Sequence, residues 1–128
     1  NILKGDGSLY WAGGMRNSWN EALKGDYDAY LLLNDDTIVY SDLFTKILET
    51  DRFCKQHHQA SGVYIGTTID SKTKKVSYGG SVFKNRFLGT MKRVPLDYNT
   101  PKECELGNAN IMWVPGEIVE KIGFAAGR

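Results

Sequence analysis

The spacing of apolar residues in the first half of the chain predicts two amphipathic helices with a strand between them. The first helix is expected to follow Gly13-Gly14 and to end at Lys24-Gly25, where a cation and a glycine complete the last turn. Its apolar positions recur every three to four residues and share one face, at Met15, Trp19, Ala22 and Leu23. The second helix is predicted from an N-cap at Ser41 to about His57.

The strand between these helices is predicted at Ala29 to Leu33, a run of five residues without alternation of apolar and polar side chains. An unbroken apolar run is typical of a strand covered on both faces, as in the middle of a parallel sheet. The alternation of strand and helix therefore favours an α/β fold with a mostly parallel central sheet flanked by helices.

The second half of the chain is predicted to be rich in strands and to end in a short helix. The expected strands are Gly62 to Ile69, Val76 to Phe83, Arg86 to Leu96, and Leu106 to Val114. Pro115-Gly116 then starts a helix that Gly123 closes, in the usual arrangement of proline near the start and glycine past the end.

Length, composition and charge indicate one domain over residues 1–128, of an ordinary soluble globular type. A chain of 128 residues can bury one core, and its 41% hydrophobic and 24% charged residues are average values. The net charge of +1 argues against a nucleic-acid partner, and no apolar run approaches the ~20 residues of a membrane span. Cys54 and Cys104 lack metal or redox spacing, so we expect free thiols and a cytoplasmic location.

The ends of the sequence suggest a segment of a longer protein. The chain opens at Asn1 without a methionine and stops at Arg128, shortly after the last expected helix. We therefore expect a single partial domain.

The stretch Leu31 to Val39, LLLNDDTIV, is the strongest candidate for chemistry because acidic residues follow the most apolar strand. Ligands of open α/β sheets sit at the carboxyl ends of strands, where Asn34, Asp35 and Asp36 fall. Two adjacent carboxylates repel, and a divalent cation shared with a phosphate would relieve that repulsion. The alternative stays open, because Asn-Asp-Asp is also a common turn composition. Thr37-Ile38-Val39 follows without a glycine that could make a tight turn, and this favours the metal site over the turn.

Four further residues are candidates for contact with a phosphate or a nucleotide. Gly13 and Gly14 would let the backbone approach a diphosphate at the start of the following helix, or form a plain turn. Arg16, on the first turn of that helix, would pair with phosphate or remain solvated. Asp6, in a Gly-Asp-Gly-Ser loop, would contact the nucleotide or serve as a turn residue.

The order of these motifs resembles a known enzyme family. AGGMRNSWNEAL (Ala12 to Leu23) followed by DYDAYLLLNDDTIV (Asp26 to Val39) is similar to the core of family 2 glycosyltransferases, in particular the rhamnosyltransferase-like branch. GGSVF (Gly79 to Phe83) and LGNANIMWVPGEIVEKIGF (Leu106 to Phe124) resemble two later segments of that family. The resemblance implies a GT-A fold, a Rossmann-like sheet that binds a nucleotide-sugar.

The resemblance also implies roles for individual residues. Asn34 to Asp36 match the acidic "DxD" signature, with Asp36 holding magnesium or manganese and Asn34 and Asp35 facing the donor. The donor side would further include Asp6, Gly13, Gly14 and Arg16, and the acceptor or sugar side Gly107, Asn108 and Trp113. The family places its catalytic base after the segment that ends in Gly123-Phe124, so no base is assigned.

The function that the resemblance implies is metal-dependent, inverting transfer of a sugar from a nucleotide-diphosphate sugar to a glycan or lipid-linked acceptor. Such a reaction belongs to polysaccharide biosynthesis for the cell envelope, with peripheral membrane association through the acceptor at the inner face of the membrane. An incomplete sheet would leave an exposed edge, which predicts a homodimer. Two alternatives stay open: a non-catalytic module that binds a sugar or nucleotide, and a nucleotidyltransferase, which would release pyrophosphate.

Overall fold

The structure is a computed structural model that describes residues 2–122. Ten elements follow one another within these residues. The helices are α1 (Tyr10–Ala22), α2 (Leu43–His58) and α3 (Gly116–Ile122). The strands are β1 (Ala29–Leu33), β2 (Tyr64–Ile65), β3 (Thr68–Ile69), β4 (Val76–Tyr78), β5 (Ser81–Asn85), β6 (Thr90–Arg93) and β7 (Ile111–Pro115).

All strand pairs in the described part of the chain are antiparallel. They form one three-stranded sheet in the order β1-β7-β2 and two separate two-stranded sheets, β3-β4 and β5-β6. In the larger sheet Ala29 lies opposite Pro115 and Leu33 lies opposite Ile111. Because the strands are antiparallel, the carboxyl end of β1 meets the amino end of β7.

The prediction of a mostly parallel central sheet is therefore wrong, and the structure does not fit a Rossmann-like GT-A fold. The chain does return through α2 so that β1 and β2 point the same way, but β7 lies between them and runs in the opposite direction. β1 is an outer strand of this sheet, and its residues are half-buried or exposed. An apolar run shows that a strand packs against something, but it does not show the direction of its neighbour.

The helices are present as expected, with starts that differ from the predictions. α1 begins at Tyr10 instead of after Gly13-Gly14, and the Gly13 N–H already donates to the Leu9 carbonyl at 2.9 Å. α2 follows Asp42 instead of Ser41, and the Asp42 side chain forms no capping hydrogen bond. The predicted end of α3 at Gly123 lies outside the described residues.

The core is small and lies where α1 and α2 pack on the larger sheet. Its buried side chains are Trp19, Ile47, Tyr64, Ile111 and Val114. The Trp19 ring lies 5.0 Å from the Tyr30 ring, so the expectation that Trp19 belongs to the core is confirmed.

A polar clamp joins α2 to β2 beside this core. The Tyr64 hydroxyl donates to Asp51 Oδ1 at 2.8 Å and accepts the Gly62 N–H at 3.1 Å, while Lys55 Nζ lies 2.7 Å from Asp51 Oδ2. Burial raises the pKa of the Tyr64 hydroxyl, which therefore stays protonated as a donor. Burial also acts to raise the pKa of the Asp51 carboxyl, but the hydrogen bonds from Lys55 and Tyr64 outweigh it and hold that pKa below its usual value.

None of the helices within residues 2–122 combines the length and the apolar composition that crossing a bilayer requires.

Candidate functional site

The candidate site lies where the carboxyl end of β1 meets the amino end of β7. The Asn34 N–H donates to the Asn110 carbonyl at 3.1 Å, and Asn34 Nδ2 donates to Asn110 Oδ1 at 2.8 Å. On the other side, the indole Nε1–H of Trp11 in α1 donates to Asn34 Oδ1 at 3.2 Å. The Asn34 side chain is thus fixed by both a helix and a strand.

Asp35 and Asp36 occupy the two central positions of a turn that starts at Asn34. The Thr37 N–H donates to the Asn34 carbonyl at 3.1 Å and closes the turn. Neither aspartate has a positive φ, so the turn needs no glycine, and the expectation that its absence counts against a tight turn is wrong. Both side chains are exposed, and within residues 2–122 they form no hydrogen bond or ion pair.

The two carboxylates of this turn suit magnesium or manganese, which prefer oxygen ligands. No group of three or more histidine, cysteine, aspartate or glutamate side chains within residues 2–122 is arranged to hold a metal. A cation on Asp36 would therefore take most of its ligands from water and from a bound phosphate. Magnesium in phosphate-binding enzymes is commonly held in this way, by one or two carboxylates.

Trp11 gives the site a flat apolar surface beside the carboxylates. Its side chain is 58% exposed although its Nε1–H is bound to Asn34. A tryptophan whose polar edge is anchored and whose ring is open to solvent can stack against a nucleotide base or the apolar face of a sugar.

Three of the predicted donor residues lie elsewhere, on the outward face of α1 and the segment that precedes it. Asp6, Gly13 and Arg16 border an open depression of about 490 Å³, together with Lys4. An α-helix turns about 100° per residue, so Gly13 and Arg16 lie about 200° and 140° around α1 from Trp11. The structure therefore divides the predicted donor pocket into two surfaces on different sides of the helix.

The geometry on that outward face favours the structural alternatives over the donor roles. Gly14 lies inside α1 instead of at its start, so the helix N-terminus expected at the glycines is not there. Asp6 Oδ1 accepts hydrogen bonds from the Ser8 hydroxyl at 2.6 Å and the Ser8 N–H at 2.8 Å. These bonds lower the pKa of the Asp6 carboxyl and are those of a turn aspartate.

Of the predicted acceptor-side residues, Asn108 lies in the segment that leads into the site and Trp113 does not. Asn108 Oδ1 is buried and has no hydrogen-bond partner in the described part of the chain. Gly107 packs so closely on Ile65 that an added Cβ would lie 2.5 Å from its Cγ1. Trp113 is the central residue of β7 opposite Leu31, about 10 Å along the strand from Asn34, and its ring packs against Phe44 at 6.4 Å.

One residue of the site, Asn110, was not predicted. Asn110 directly precedes the apolar run of β7, just as Asn34 directly follows that of β1. An antiparallel pairing of these two runs would have brought the two asparagines together, but the parallel sheet that we expected does not.

Comparison with known proteins adds no further constraint, because no family model, curated protein or solved structure matches this chain.

Proposed function

We propose that this chain is the donor-binding part of a family 2-like glycosyltransferase. In that reaction a sugar passes from a nucleotide-diphosphate sugar to a glycan or lipid-linked acceptor, with inversion. The observation that carries the proposal is the pair of unengaged carboxylates, Asp35 and Asp36, on a turn held beside the exposed ring of Trp11. The order of the motifs along the sequence, which resembles that of the family, supports the same function. The antiparallel sheet lends the proposal no support.

The chain's contribution to the proposed reaction is to position a diphosphate. Asn34 fixes the turn because its backbone and side chain both bond to Asn110 and its Oδ1 accepts from Trp11. Asp36, on that turn, binds the divalent cation, and Asp35 faces the ribose or the donor sugar. When bound, magnesium or manganese neutralises the charge that develops on the diphosphate leaving group.

One other side chain, Trp11, would contact the organic part of the donor. The Trp11 ring offers a stacking surface, and base or sugar stacking on an aromatic ring contributes about 1–3 kcal/mol. The proposed location is the cytoplasm, at the membrane surface where a lipid-linked acceptor is found.

Calorimetric titration with nucleoside diphosphates, in manganese and in its absence, tests this proposal. We expect binding by the wild-type chain in manganese, and loss of that binding in Asp36→Asn. Asp26→Asn is the matched control, because Asp26 is an exposed aspartate near the other end of β1 that has no interaction within residues 2–122. That variant should bind as the wild type does.

The proposal would be overturned by diphosphate binding that is equal with and without manganese, or that survives in Asp36→Asn. Absence of binding by the folded wild-type chain would also overturn it. Release of pyrophosphate instead of nucleoside diphosphate from a donor would favour a nucleotidyltransferase.

A further inference from the structure

The β5-β6 hairpin carries an apolar tip that contributes nothing to the core. Its turn comprises residues 86–89, between Asn85 and its partner Thr90. Phe87 is 97% exposed and Leu88 is 69% exposed. Met91, at the start of the returning strand, is also exposed. Leaving large apolar side chains open to water forgoes the free energy of burial, so adjacent exposed residues of this kind mark an interaction surface.

This tip is held in a defined conformation. Asn85 Oδ1 accepts the Leu88 N–H at 3.0 Å, and Gly89 adopts a positive φ of 64° that a glycine takes without strain. The Arg86 guanidinium lies 5.3 Å from the centre of the Phe83 ring and pairs with Glu105, which also accepts the Phe83 N–H. The hairpin therefore presents Phe87 and Leu88 on a turn whose conformation these contacts fix.

Along the sequence, the segment that contains the hairpin is basic, although Glu105 from a later segment pairs with its Arg86. Residues 71–93 contain seven of the 16 basic residues of the chain and none of its 15 acidic residues. The rest of the chain is therefore net negative, so the overall charge of +1 conceals a strong asymmetry. On the hairpin itself Lys84 and Lys92 are exposed and form no ion pair with any residue from 2 to 122.

The cations of the preceding turn adjoin the base of the same hairpin. Arg93 Nη1 donates to the Val76 carbonyl at 2.6 Å, which links β6 to β4. Lys75 immediately precedes Val76, and Lys72 lies three residues earlier. The basic segment thus continues from the hairpin into the β3-β4 turn, where the Asp70 carboxylate accepts the Lys72 and Thr73 N–H groups.

We propose that the β5-β6 hairpin docks on an anionic lipid surface, with Phe87 and Leu88 inserted among the headgroups and the lysines above them bound to lipid phosphates. Apolar side chains surrounded by cations are the combination that binds such a surface, because insertion and charge attraction add. A nucleic acid would use the cations but would leave the aliphatic Leu88 in water. This inference is independent of the proposed donor site.

Co-sedimentation of the whole chain with vesicles tests the proposal. The wild type is expected to bind vesicles that contain phosphatidylserine and to bind pure phosphatidylcholine weakly, with less binding as salt is raised. The double variant Phe87→Ser, Leu88→Ser should lower the partition coefficient about tenfold or more. Lys92→Glu should lower it about fivefold or more.

Matched controls separate the hairpin from general changes in polarity and charge. Leu48→Ser removes a comparably exposed apolar residue from α2, and Arg52→Glu makes the same charge reversal on that helix. Both controls should bind vesicles as the wild type does. The altered side chains are all exposed, and circular dichroism of each variant checks that the fold is kept.

Several results would overturn this inference. One is failure of the wild type to bind both kinds of vesicle, and another is equal binding to both kinds. A third is loss of vesicle binding to the same extent in the hairpin variants and the α2 controls. Binding to a duplex oligonucleotide as strong as to vesicles, and unchanged in the Phe87, Leu88 double variant, would assign the basic surface to nucleic acid instead.

Discussion

The amide side chains of Asn34 and Asn110 form a hydrogen bond of 2.8 Å between residues that are 76 positions apart in sequence. Together with the backbone bond between the same residues, this contact fixes the end of β1 against the start of β7. The turn that carries Asp35 and Asp36 begins at Asn34. The position of the two carboxylates therefore depends on this pair of asparagines.

Replacing Asn110 with alanine should destabilise the fold. The change leaves the half-buried Asn34 Nδ2 without its acceptor, and losing such a bond costs about 1–2 kcal/mol of unfolding free energy. Urea denaturation of the variant and the wild type measures this difference. Asn20→Ala is the control, because Asn20 is exposed on α1 and should change stability by less than about 0.5 kcal/mol. Equal effects of the two substitutions would contradict the assigned role of Asn110.

Acid should weaken the clamp between α2 and β2. Because Asp51 has a lowered pKa in the folded protein, the unfolded chain binds its proton more readily. The stabilisation is therefore complete above the ordinary aspartate pKa of about 4 and is lost as the pH falls through the lower, folded-state value. Asp51→Asn should be less stable than the wild type near neutral pH, and the two should converge in acid. Denaturation curves over this pH range test the prediction, and a constant difference would contradict it.

Two glycines should respond to alanine in opposite directions. A Cβ at Gly116 would lie 2.7 Å from the Tyr27 carbonyl oxygen, and this backbone atom cannot move aside without shifting the chain before β1. Gly116→Ala should therefore destabilise the protein by about 1–3 kcal/mol. Gly14 lies inside α1 with no atom within 4 Å of an added Cβ, so Gly14→Ala should stabilise it by about 0.5–1 kcal/mol. The melting temperatures of the two variants measure both changes in stability. Stabilisation by Gly116→Ala would contradict the close approach of Gly116 to the Tyr27 carbonyl.

The sequence predicted helices and strands better than it predicted their arrangement. β1 has the predicted bounds, Ala29 to Leu33, because a short apolar run between turn residues leaves little choice. α1 starts earlier than expected because glycine is only weakly unfavourable within a helix, and the apolar spacing through Trp19 continues back to Trp11. Local pattern therefore placed the helices and β1 to within a few residues, but it wrongly merged β2 with β3 and β4 with β5.

The arrangement depends on contacts between distant residues, which local pattern does not encode. Nothing near Leu33 specifies that its neighbour is Ile111, or that the two strands run in opposite directions. Asn34, Asp35 and Asp36 could be singled out because they directly follow the most apolar run that the sequence predicts as a strand. The pairing of Asn34 with Asn110 could not be predicted while the sheet was taken to be parallel.

Paramagnetic broadening by manganese tests the central claim, a cation site on Asp36 beside Trp11, most directly. Manganese broadens nearby proton signals with a steep dependence on distance, and the chain has three tryptophan indole N–H groups to compare. The Trp11 Nε1–H bonds to Asn34, which starts the turn that holds Asp36, whereas Trp19 is buried two turns further along α1.

In the presence of a nucleoside diphosphate, small additions of manganese should broaden the Trp11 indole signal before that of Trp19. In Asp36→Asn this selective broadening should disappear. Uniform broadening of the indole signals, or broadening of Trp11 that persists in Asp36→Asn, would contradict the site.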